Sequence, residues 1–180
     1  MTDVPDHVPD RPGSQRSARG APATLRWREV EETDPAFAAA VLARFTAQRH
    51  HVLATLTRDG APRVSGTEVD LWRGDLVLGS MPRSRKAADL HRDPRCSVHA
   101  HTGDGTLEGG DAKVSALAEA VTDPAELAAY VADRHPPEPF ELFRLRLTGV
   151  VLTELAGEAL RVLTLRPGAA AVAATLVGTG

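Results

Sequence analysis

Leu76-Val77-Leu78-Gly79-Ser80, then Ser84-Arg85-Lys86-Ala87, Leu90 and Asp93-Pro94-Arg95, form the stretch on which the fold turns. The first five residues have the apolar run of a strand. Ser84 to His91 reads as a short helix, closed at Asp93-Pro94 because proline restricts the residue before it. A hydroxyl, a guanidinium and an ammonium therefore fall side by side where a strand gives way to a helix. Unpaired backbone N–H groups and the positive end of the helix dipole meet at such a junction, and they hold anions, phosphate above all. Arginine grips phosphate through two parallel hydrogen bonds, and lysine adds a point charge. The pattern predicts a pocket for a phosphorylated cofactor.

Upstream, Asp34-Pro35 starts a helix, with Asp at the cap and Pro in the first turn. Phe37, Val41, Leu42 and Phe45 keep helical spacing to about Gln48. His51 to Thr57 is a strand, Arg58-Asp59-Gly60 a hairpin turn, Arg63 to Trp72 a second strand and Arg73-Gly74-Asp75 a second turn into the strand that ends at Ser80. Downstream come strands at Arg95–His101 and Lys113–Val121, separated by a loop with four glycines. A helix starts at Asp123-Pro124 with Leu127, Tyr130 and Val131 on its apolar face, and the segment His135 to Pro139 breaks it. Phe140 to Leu155 is a long strand in which Phe143, Leu145 and Leu147 alternate with Arg144, Arg146 and Thr148. Ala156-Gly157-Glu158 turns into a last strand, Ala159–Arg166. Tight hairpins imply antiparallel pairing, so the predicted architecture is mainly β, a six- to seven-stranded antiparallel barrel with peripheral helices. The expected organisation is a flexible arm over residues 1–25, a barrel domain over 26–167 and a loose Ala- and Gly-rich tail over 168–180.

Composition narrows the function classes. A net charge of −3 excludes a broad nucleic-acid-binding face, while leaving room for one basic pocket. The lone cysteine, Cys96, cannot form an intrachain disulfide and reads as a small core residue. No apolar run is long enough for a membrane span. The Pro- and Asp-rich N-terminus lacks the apolar region of a secretory signal, so a cytoplasmic location is the default expectation.

The order of hairpin, Pro62-x-Val64 strand, turn, strand, Ser-Arg-Lys-Ala-x-x-Leu and Asp-Pro-Arg-x-Ser-Val resembles the pyridoxamine 5'-phosphate oxidase-like, FMN-binding split β-barrel superfamily over roughly residues 35–166. The resemblance implies a homodimer with cofactor sites at the subunit interface, acting on a small-molecule substrate. It implies that Ser84, Arg85 and Lys86 contact the phosphate of FMN. Ser80 would add a hydroxyl, Arg63 would lie on the phosphate or ribityl side, and Val64 and Ser65 would line the isoalloxazine edge. Two positions depart from the true oxidases. Glu68 stands where a second basic residue is expected, and the C-terminal Ala169-Ala170-Ala171-Val172 lacks Arg and His for a pyridoxal phosphate substrate. The resemblance is thus to a related member rather than to the vitamin B6 oxidase. Other branches use a deazaflavin, coenzyme F-420, or bind haem. The adjacent Arg85-Lys86 pair favours FMN.

No acid–base dyad stands out, and the catalytic residues stay unassigned. His50-His51 point to opposite faces of a strand and read as structural. His99-x-His101 share a face at a spacing metals can use, but no third ligand joins them, and no metal site is expected. His91 suits a helix C-terminus. Trp27 and Trp72 read as packing residues.

Overall fold

The computed structural model describes residues 21–101 and 110–177. All of the expected loop from Gly103 to Gly110 except Gly110 itself, and most of the expected N-terminal arm, lie outside them. The first helix among the described residues is α1 (Trp27–Thr33), and Arg26 just before it donates its N–H to the Glu29 carboxylate at 2.6 Å. This helix was not expected from the sequence, because arginine is a poor cap. Helix α2 (Pro35–Ala47) starts where Asp34-Pro35 places it, with Asp34 Oδ1 accepting from Phe37 N–H at 3.0 Å.

The strands are β1 (His51–Leu56), β2 (Pro62–Thr67), β3 (Val69–Trp72), β4 (Asp75–Ser80), β5 (Arg95–His99), β6 (Asp111–Ala120), β7 (Glu141–Ala156), β8 (Ala159–Leu165) and β9 (Val172–Val177). Helix α3 (Arg85–Arg92) joins β4 to β5, and α4 (Pro124–Arg134) joins β6 to β7. The sheet runs β2-β1-β5-β6-β7-β4-β3, with β8 and β9 added beyond β7. Every pairing is antiparallel. β2 and β3 stand at opposite ends of that path, yet only Glu68 separates them in sequence. The sheet must therefore curl until its two ends nearly meet, which makes a barrel split at Glu68.

Three expectations are corrected. The single strand expected from Arg63 to Trp72 is two, because Thr67 pairs with His51 of β1 whereas Val69 pairs with Leu78 of β4. The described residues form nine strands rather than six or seven. The segment expected to be a loose tail supplies β9, which pairs with β8 from Ala159↔Val177 to Thr164↔Val172. Its alanines have low strand propensity, and the pairing edge of β8 overrides it.

The 16-residue β7 is the spine of the barrel. Its first half pairs with β4 and β6, and its second half with β6 and β8. A register shift at Ser115/Ala116 skips Thr148. That extra residue moves the buried set from Leu145 and Leu147 to Val150 and Leu152, so one strand keeps its apolar face on the core around a bend. Leu25, just before α1, is hydrogen-bonded in both directions to Leu147, each bond 2.8 Å, which ties the entry of α1 to β7.

Trp27, Val30, Phe37, Val41 and Phe45 from α1 and α2 close one side of the core against Leu53, Leu78, Val98, Val114 and Leu145. Each such side chain contributes about 1.5–3 kcal/mol by leaving water. A second cluster, Trp72, Val77, Val121, Tyr130 and Leu142, fastens α4 to the outer face of β4. Cys96 is buried as expected, and burial pushes its thiol up to about 12. Among the described residues no helix is long and apolar enough to cross a membrane.

Candidate functional site

The turn from β4 into α3 builds the first wall of the site. Ser84 N–H donates to the Met81 carbonyl at 3.2 Å, and Arg83 takes the left-handed region at φ 63° to swing the chain around. A non-glycine residue there is uncommon, and such strain concentrates at functional turns. Ser84 caps α3, its Oγ accepting from Ala87 N–H at 3.2 Å, and lies 2.8 Å from Ser80 Oγ. The Ser84 carbonyl takes the amide of Ala88. The amides of Arg85 and Lys86 have no intrahelical partner and face outward with the positive end of the helix dipole. Lys86 reaches from α3 to β2, where Nζ donates to the Gly66 carbonyl at 2.8 Å. Burial lowers the Lys86 pKa below the usual lysine value, and Glu68 offsets this in part.

These groups border a cavity of about 760 Å³, a size ordinary for a bound small molecule or cofactor. Val69, Val77, Phe140 and the prolines at 136, 137 and 139 make its apolar wall. On the α4 side, Tyr130 OH donates to Asp70 Oδ2 at 3.2 Å, and Arg134 Nε donates to the same oxygen at 3.2 Å. Burial first, then Asp70, pushes the Tyr130 hydroxyl up to about 12, so it stays a donor. Tyr130 stands edge-on to Trp72 at 5.3 Å, and Trp72 Nε1 donates to Asp133 at 2.9 Å, which locks α4 in place. Arg49 and His50 form the rim, both near Glu68.

Of the residues singled out in the sequence, Ser80, Ser84 and Lys86 line this cavity. Arg85 is exposed at the start of α3 and does not line it. Arg63 lies beneath α3, outside the cavity lining, where Nε donates to the buried Asp89 at 2.6 Å, beside Thr55 and Arg92 bonded to the same carboxylate. Val64 is 70% exposed on the opposite face of β2, and neither it nor Ser65 borders the cavity. The contribution of β2 is instead Gly66 and Thr67.

Sequence reasoning missed Asp70, Tyr130 and Arg134. Tyr130 was assigned to a helix's apolar face, and the spacing to Arg134, one turn on, was the available signal for a shared face. His50 and His135 border the cavity, while His51, His99 and His101 lie away from it. His99 Nε2 is 3.6 Å from Asp111, and His51 Nδ1 accepts from His101 N–H at 3.3 Å; none of these rings borders the cavity. Burial and the neighbouring His101 lower the pKa of His51. Among the described residues no three metal-ligating side chains meet.

Residues 37–153 match the sequence profile of the family described as Pyridoxamine 5'-phosphate oxidase. No curated protein matches the sequence. Among solved structures, the haem-binding protein from Mycobacterium smegmatis is 24% identical with a TM-score of 0.53, over 71% of this chain and 57% of that one. The chain thus spans little more than half of that relative's length. PhzG from Burkholderia lata is 16% identical with a TM-score of 0.57, over 83% of this chain and 92% of that one. A pyridoxamine 5'-phosphate oxidase-related, FMN-binding protein from Nostoc punctiforme is 16% identical with a TM-score of 0.57, over 81% and 97%. These likenesses establish the mainly β split-barrel fold.

Proposed function

The chain belongs to the pyridoxamine 5'-phosphate oxidase family, and from that membership we propose that it is a flavin-dependent oxidoreductase. It binds FMN by the phosphate on the α3 side of the cavity and moves electrons or hydride to or from a small organic substrate. The observation that carries this reading is that Ser80, Ser84 and Lys86 border one cavity at the start of α3, with the two serine hydroxyls 2.8 Å apart and Lys86 Nζ at the Gly66 carbonyl. Two hydroxyls, an ammonium and unpaired amides suit a phosphate dianion, and Lys86 has no carboxylate within ion-pair distance among the described residues to compete for it. Arg85, exposed next to them, supplies a second basic group.

The flavin ring, when bound, supplies the redox chemistry. The chain's residues bind and orient it: Ser84 fixes the direction of α3, Lys86 ties α3 to β2, and the Phe140 and proline wall keeps water from the ring face. The FMN-binding relative from Nostoc punctiforme supports the reading. Two copies assemble through the outer face of β1 and β2. Val52 and Val64 lie there on adjacent strands, with Met81 also exposed, and an apolar set of this kind favours burial against a partner.

A deazaflavin, coenzyme F-420, presents the same phosphate chemistry to this cradle. Haem is the second reading, suggested by the Mycobacterium smegmatis relative; among the described residues His50 and His135 are the imidazoles that border the cavity. The test is titration of cofactor-free protein with FMN, with coenzyme F-420 and with haem. Saturable flavin quenching without a Soret shift supports FMN; tight haem binding dependent on His50 or His135, with no flavin binding, overturns it.

A further inference from the structure

The cavity holds three lysine and arginine side chains among the described residues: Arg49, Lys86 and Arg134. Two are already paired. Arg49 Nε is 3.0 Å from Glu68, and Arg134 Nε is 3.2 Å from Asp70. The Arg134 fork is further used by the Leu71 carbonyl, to which Nη2 donates at 3.0 Å. Asp70 Oδ2 also takes the Tyr130 hydroxyl at 3.2 Å. One carboxylate oxygen therefore accepts from both donors of α4 that an anionic ligand would need. The arrangement is held from both sides: Asp70 pairs in register with Val77 of β4, and Tyr130 is buried against Trp72. An incoming phosphate or carboxylate would meet a like charge where it needs a donor.

We propose that Asp70 is a specificity-determining residue that occupies Arg134 and Tyr130 in place of a ligand anion, so that the α4 side of the cavity takes a neutral or cationic molecule with an apolar body and refuses phosphates and carboxylates. The proposal rests on the reading that a cofactor phosphate belongs to Lys86, which leaves the α4 side for substrate. Val69, Val77 and Phe140 supply the apolar contact, and Asp70 offers its free oxygen to a donor.

The test uses phenyl phosphate and benzylamine, an anion and a cation of similar size, titrated calorimetrically into the full chain carrying Lys86→Ala. That background removes the α3 anchor, so the comparison reads the α4 side whether or not FMN binds; failure of FMN binding by the wild type is a separate result that bears on the proposed function. Benzylamine is expected to bind the tighter of the two. Adding Asp70→Asn, which keeps the shape of the side chain, is expected to raise phenyl phosphate affinity by roughly threefold or more and to weaken benzylamine. Adding Arg134→Gln is expected to abolish the gain. A smaller gain, including no detectable phenyl phosphate binding before and after, overturns the proposal, as does a gain that survives Arg134→Gln. Asp70→Ser is read in the same way if Asp70→Asn does not fold.

Discussion

Arg63 donates from Nε to Asp89 Oδ2 at 2.6 Å, and this pair fastens α3 to the edge of the sheet. Thr55, directly opposite Arg63 in the β1–β2 register, gives the same oxygen a second hydrogen bond at 2.9 Å, and Arg92 serves the other oxygen at 2.9 Å. Burial opposes the charge on Asp89, but the bonds from Arg63, Arg92 and Thr55 together outweigh it and hold the carboxyl below its usual range. Arg63 is thus held beneath α3 by a buried carboxylate, away from the cavity lining.

Asp89→Ala is expected to destabilise the fold by about 3 kcal/mol at neutral pH, because it leaves a half-buried guanidinium and a buried hydroxyl without their acceptor. The carboxyl's folded pKa is depressed, so its contribution is complete above the ordinary aspartate value of about 4 and is lost as pH falls through the folded value. Urea unfolding of wild type and variant at neutral pH and at low pH checks this: the gap between them should narrow in acid. An unchanged gap would show that the Asp89 network is not the source.

Gly110 opens β6 at φ 79°, and a Cβ there would lie 2.1 Å from the Thr153 carbonyl oxygen. The obstacle is backbone, so it cannot rotate away. Gly110→Ala is expected to cost about 3 kcal/mol or more, from the left-handed conformation and the forced separation of β6 from β7. Thermal melting read by circular dichroism measures the loss.

Cys96 should resist thiol reagents in the native protein at pH 8 and react fully in urea. Its thiol is buried and pushed up to about 12, so almost no thiolate forms. Native-state labelling at the rate of a free thiol would contradict its placement in the core.

On the proposed assembly of two copies through β1 and β2, Val64→Glu is expected to leave only a species of the 19.1 kDa chain mass, measured by sedimentation. The side chain is 70% exposed on β2, so the variant has no folded-state cost in the monomer beyond a few tenths of a kcal/mol. An unchanged oligomeric state would place the interface elsewhere.

Much of the barrel was legible because hairpins write themselves locally. Asp59-Gly60 and Arg73-Gly74 mark their turns, and Asp34-Pro35 and Asp123-Pro124 mark their helices. The rest depended on partners distant in sequence. The split at Glu68 exists because β2 and β3 pair with different strands, and nothing in the local alternation records that. β9 exists because β8 offers an edge. In the site, Ser84 and Lys86 were legible from their place at a strand-to-helix junction. The pairing of Arg63 was not legible, because a basic residue on a strand does not announce that a buried aspartate 26 positions later will engage it. Asp70, Tyr130 and Arg134 meet only through the packing of α4 on β3 and β4, which the sequence reading did not attempt.

The most direct measurement is fluorescence quenching of FMN and of riboflavin, which lacks the phosphate, by wild-type protein and by Lys86→Ala. The account predicts that the wild type binds FMN far more tightly than riboflavin. Lys86→Ala should lose about 1.5–3 kcal/mol of FMN affinity, roughly ten- to hundredfold, while riboflavin affinity stays the same. Equal affinity of the wild type for the two flavins, or FMN affinity unmoved by Lys86→Ala, would contradict the assignment of the α3 cradle to a phosphate.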